Sequence, residues 1–161
     1  MNFLVLFVAL LNTAFSQDHY ETAVFHNDIW NFNLPESELN SEWNNLDYDD
    51  SEWESSFGGF GYGDNDDGTE IAPTLSIYLR NNFQIADTSK IYNAILNADY
   101  DDGFIAYLNG IEICRSENLG SFGTFIPFDS TGFFSHEAQL YQGGVPDYFI
   151  FRNNEINSLI N

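Results

Sequence analysis

Alternation of apolar and polar positions with a period of two runs through the second half of the chain. Leu75, Ile77 and Leu79 alternate with Ser76, Tyr78 and Arg80, and Phe83 and Ile85 prolong the run toward a turn at Ala86-Asp87-Thr88. This period places alternate side chains on opposite faces of an extended strand. From Ile91 to Tyr100 the pattern repeats, with Tyr92, Ala94, Leu96 and Ala98 on one face and Ile91, Asn93, Ile95 and Asn97 on the other. Asp99-Tyr100-Asp101-Asp102-Gly103 then forms a turn, its aspartates capping their own backbone, with a metal or ligand contact as the alternative role. The next two apolar runs, 104–108 and 111–115, flank Asn109-Gly110. A two-residue hairpin turn needs positive φ at both central positions, and Asn-Gly adopts it readily, so these runs are predicted to pair. Leu119 to Gly132 is loop-like, and Tyr148-Phe149-Ile150-Phe151 is a further strand. Pro35-Glu36-Ser37-Glu38 has the proline and early carboxylates of a helical first turn, and a short helix is predicted there. No segment sustains helical periodicity. The predicted fold class is therefore all-β, an antiparallel β-sandwich.

The first residues carry a different pattern. Phe3 to Leu11 are nine consecutive apolar residues, followed by Ala14 and Ser16 at the small-residue positions before a cut at Gln17. This is the layout of a secretory signal peptide, and it is too short to span a bilayer, which takes about twenty apolar residues. Met1-Asn2 departs from the pattern in supplying no Lys or Arg. The expected organisation is a signal peptide over 1–16, an N-terminal extension over 17–42 and a sandwich domain over 43–161. The mature protein is expected to be secreted or displayed at the cell surface, with no membrane insertion after cleavage. The single cysteine, Cys114, cannot form an internal disulfide and lies in an apolar strand, which predicts a small buried residue rather than a reactive thiol.

Charge narrows the partners. The chain holds four basic and twenty-five acidic residues, a net charge of −21, and fifteen of the acids precede the first basic side chain, Arg80. A field of this sign repels phosphate backbones and anionic lipid, so nucleic acid is not an expected partner. Divalent cations and neutral sugars are compatible with it.

Candidate chemistry is sparse. Asp64, Asp66, Asp67 and Glu70 gather around Gly68, a set of hard oxygen ligands of the kind Ca2+ takes. The spacing is not that of an EF-hand, and the cluster is either a Ca2+ loop or a solvated acidic turn. No cofactor other than Ca2+ is implied. The glycines between Gly58 and Gly63 are followed by neither a helix nor a lysine, so they do not form a phosphate cradle. The three histidines show no metal-ligand spacing, no nucleophile elbow occurs, and among so many carboxylates no catalytic pair stands out. Trp43, Trp53 and Tyr62 are candidates for stacking on sugar rings, or else core aromatics.

Several blocks together resemble a known module: Trp43…Trp53 with Asp49-Asp50-Ser51, Gly61-Tyr62-Gly63-Asp64, Tyr78 to Phe83, the long run Tyr100 to Ser116, and His136-Glu137-Ala138. The sequence resembles the jelly-roll, galactose-binding-like module of large secreted bacterial proteins that often also carry a CotH-kinase-like or lamin-tail domain. The resemblance covers roughly 43–161, and the block from Asp101-Asp102-Gly103 through Asn109-Gly110 to Arg115-Ser116 is its most specific part. It implies a jelly-roll sandwich lacking its last strand, with no catalytic residues to carry over. The function it implies is a non-catalytic extracellular module, glycan-binding or adhesive, whose partners are extracellular polysaccharide or other domains of a longer chain. The alternative is an accessory N-terminal domain of a larger CotH-like phosphotransferase or a secreted hydrolase.

Overall fold

The computed structural model describes residues 19–63 and 67–159. The signal-peptide expectation over 1–16 lies outside the described residues. The fold is all-β, with nine short strands and one short helix among the described residues. Strand β1 (Ile29–Asn33) is the centre of a three-stranded antiparallel sheet, flanked by β2 (Glu54–Phe57) and β5 (Tyr78–Arg80). The stretch read as an N-terminal extension thus supplies the middle strand of a sheet. Strands β3 (Phe60–Gly61) and β4 (Thr69–Glu70) form a brief parallel pair. Strands β6 (Asn93–Ala98) and β9 (Asp147–Arg152) pair antiparallel along their whole length, Ile95 opposite Ile150. Helix α1 (Asn153–Leu159) follows β9, packs on β6 and β9, and buries Ile156.

The hairpin forms where Asn-Gly predicts it. Strand β7 (Ile105–Leu108) pairs with β8 (Ile111–Arg115), and Asn109 and Gly110 have φ of 51° and 83°. A register shift between Ala106 and Tyr107 bends the ladder. Cys114 is buried on β8, and burial, then Glu112, pushes its thiol up to about 11.

The alternation from Leu75 yields less strand than its length suggests. Only Tyr78–Arg80 pairs, because the partner β1 stops at Asn33, opposite Tyr78, and Pro35 follows with no backbone donor. Before that point the chain turns: the Thr74 hydroxyl donates to the Ser76 carbonyl at 2.8 Å, and Leu75 is exposed. Beyond Arg80 the Asn81 side-chain amide donates to the Ile29 carbonyl at 3.1 Å, and Phe83 and Ile85 lie exposed outside any strand. On β6 the alternation holds, with Ala94, Leu96 and Ala98 on the more buried face, while Tyr92 precedes the strand and is exposed. The helix expected at Pro35–Glu38 is instead a bend. There the Glu38 carboxylate accepts from the Phe128 amide at 3.1 Å and the Tyr78 hydroxyl at 3.4 Å, which ties three segments together.

Aromatic rings join these small sheets. Trp43 meets Tyr78 of β5 and Tyr107 of β7 edge-on, at 4.7 and 5.5 Å between centroids. Phe32 contacts Phe60 at 5.1 Å, and Phe104 contacts Phe149 of β9 at 5.4 Å. Such tilted and edge-on pairs suit the ring quadrupole.

Two arginines hold the loops. Arg80, 9% exposed, donates to Asp50 at 2.7 Å and to the carbonyls of Trp43 and Asn45 at 2.5 and 3.0 Å. Arg115, 5% exposed, grips both carboxylate oxygens of Glu112 at 2.6 and 2.8 Å and reaches the carbonyls of Leu119 and Thr124. These planar forks satisfy buried acceptors in a way the point charge of lysine would not.

Candidate functional site: a cleft of rings and carboxylates

The turn after β6 builds one wall of a cleft. Its aspartates cap a distant segment rather than their own turn. Asp99 accepts from the backbone amides of Gln139 and Leu140 at 2.7 and 3.1 Å, and Asp102 accepts from the His136 amide at 2.9 Å. A carboxylate takes several backbone donors at once, and the segment 136–140 offers amides with no strand partner. The Asp101 carboxyl is raised above the ordinary carboxylate range by burial first, and then by the negative charges of Asp102 and Glu137.

Asn118 fixes the floor. It is 1% exposed, and its side-chain nitrogen donates to the carbonyls of Asp102 and Phe134 at 2.9 and 2.8 Å. Its side-chain oxygen accepts from the buried Ser116 hydroxyl at 2.8 Å. The chain approaches this amide closely at Gly103 and Gly132, where any Cβ would strike it. Three loops, around 102, 118 and 134, are thereby held in one place.

The resulting cleft has a volume of about 330 Å³. Tyr100, Glu117, Phe134, His136, Asp147 and Tyr148 are among its lining residues. The His136 ring lies flat on Tyr100, with centroids 4.1 Å apart and planes within 13°. The Tyr100 hydroxyl donates to Asp147 at 2.7 Å, and burial, then this bond, pushes it up to about 12, so it remains a donor. His136 Nδ1 faces the Tyr100 carbonyl at 3.0 Å; a carbonyl only accepts, so Nδ1 carries a proton. His136 Nε2 faces Asp147 Oδ2 at 3.7 Å. Phe134 and Tyr148 are exposed at the rim.

This arrangement presents ring faces beside hydrogen-bonding carboxylates, and its size falls within the range of small-ligand sites. The residues singled out in the sequence lie elsewhere. Trp43 is half-buried between two tyrosines, Trp53 rests edge-on against Tyr48, and Tyr62 is 50% exposed; none of them lines the cleft. Asp64 and Asp66 lie outside the described residues. Asp67 sits against Gly61, and Glu70 is exposed on β4. No group of three or more potential metal ligands gathers among the described residues. No helix among them is long and apolar enough to cross a membrane.

The cleft residues come from four separated stretches, and only the folded chain joins them. The one local hint is Tyr148, an aromatic that alternation places opposite the inward Phe149. No protein-family model, curated protein or solved structure matches this chain.

Proposed function

We propose that the chain is a non-catalytic extracellular module, a jelly-roll sandwich of the galactose-binding-like kind, that binds polysaccharide through the cleft at Tyr100, His136, Asp147 and Tyr148. The observation that carries this reading is the pairing of exposed rings with carboxylates on an all-β scaffold. A ring face stacks on the C–H face of a pyranose, and carboxylates bind its hydroxyls. The N-terminal apolar run supports secretion, and the block from Asp101 to Ser116 supports a setting within a longer secreted protein, as an accessory to a CotH-like or lamin-tail region. The test is a glycan array probed with the protein and with Tyr148→Ala. Tyr148 is exposed, so its removal leaves the fold intact. Binding that falls about fivefold or more supports the reading, since stacking contacts contribute on the order of 1 kcal/mol or more. Retention on no polysaccharide, or binding indifferent to Tyr148, overturns it.

A further inference from the structure

The geometry points to an amine-recognition slot between His136 Nε2 and the Asp147 carboxylate, so that the saccharide bound in the cleft is one bearing a free amino group. This inference rests on the polysaccharide-binding reading and names its ligand class. The Nδ1 proton is directed at the Tyr100 carbonyl, so the imidazole in its neutral form presents its lone pair at Nε2. That lone pair faces Asp147 Oδ2 at 3.7 Å, and Oδ2 is also an acceptor. Two acceptors at this separation are bridged by one group that donates at least twice. A protonated amine does so with a positive charge, which Asp147 complements. Tyr100 already spends its hydroxyl on Asp147, and the Arg115 guanidinium is turned away onto Glu112, Leu119 and Thr124. No cation of the cleft lining therefore competes for the Asp147 carboxylate while His136 is neutral. Glu117 adds negative charge to the lining, and a net charge of −21 draws cationic ligands and repels uronates.

Calorimetric titration with oligomers of glucosamine, N-acetylglucosamine and galacturonic acid tests this on the intact protein. Expected is a preference of about tenfold for the glucosamine oligomer over the acetylated one at about pH 7, from one charge-assisted contact. That binding should be lost in Asp147→Asn, whose amide oxygen still accepts from Tyr100. His136→Asn keeps a donor for the Tyr100 carbonyl and removes Nε2, so it should bring the glucosamine oligomer down to the affinity of the acetylated one. Glucosamine-oligomer binding that ignores Asp147→Asn overturns the slot in favour of bulk attraction to the negative field. Tyr148-dependent binding of the acetylated or acidic oligomer in preference overturns the slot but leaves the polysaccharide reading standing. Binding of no oligosaccharide overturns both.

Discussion

Removing the Asn118 side chain would strip a donor from two backbone carbonyls and an acceptor from Ser116 at once. Buried polar groups left without partners cost about 1–3 kcal/mol each, so Asn118→Ala should lose roughly 2–4 kcal/mol in a denaturant titration. Its affinity for any cleft ligand should fall as well, because the loops at 102 and 134 lose their common anchor. Asp101 works in the opposite direction. Its carboxyl is raised in the folded chain, so the folded state holds this proton to a higher pH than the unfolded chain does. Stability from this group is greatest at low pH and is lost as pH rises from the ordinary carboxylate range through the raised value. Asp101→Asn should therefore raise the melting temperature at neutral pH by about 1–3 °C, with no gain at about pH 3. Cys114 was legible in the sequence because one apolar strand decides its burial. Asn118 was not, since nothing in Ser116-Glu117-Asn118 reveals that carbonyls from residues 102 and 134 converge on it.

At the scale of elements, legibility followed whether the information was local. The hairpin at Asn109-Gly110 carries its own turn chemistry and forms as predicted. The run from Leu75 has the right alternation, but its length is set by where β1 ends, a fact recorded forty residues upstream at Pro35. The cleft is less legible still, because its walls come from a turn, a loop and a strand that pair with nothing adjacent in sequence. Gly110 tests how far the hairpin depends on local geometry. It combines φ of 83° with a backbone so close to the Asn45 side chain that a Cβ would collide with it. Gly110→Val should cost about 2 kcal/mol or more, and Asn45→Ala should recover only the collision part of that loss, as a double-mutant cycle would show.

Over the whole molecule, charge and apolar surface pull in opposite directions. Phe122, Phe125, Phe133, Phe134, Tyr141 and Val145 are all more than half exposed within one stretch of chain. Net charge of −21 keeps such surfaces apart at low salt. Screening shortens the reach of that repulsion to about 8 Å at 0.15 M ionic strength. Raising the salt should therefore raise the melting temperature by relieving self-repulsion within one molecule, while light scattering should grow as repulsion between molecules fades. A melting temperature that falls with salt would show that attractive ion pairs, not repulsion, dominate the field.

The internal use of arginine also decides how the chain meets a protease that cuts after basic residues. The whole sequence offers four such bonds, after Arg80, Lys90, Arg115 and Arg152. Arg80 and Arg115 are inside, each held by a carboxylate and by backbone carbonyls, and Arg152 is part of the ladder between β6 and β9. Lys90 alone stands out, 81% exposed at the end of a single helical turn between strands. Brief trypsin digestion of the folded protein should give one nick, after Lys90, with β5 and β6 on separate pieces that stay together until denatured. Early cuts after Arg80 or Arg115 would mean that the arginine clamps open in solution. A chain with this few basic residues, half of them buried, thus has resistance to tryptic attack built into the same contacts that hold its loops.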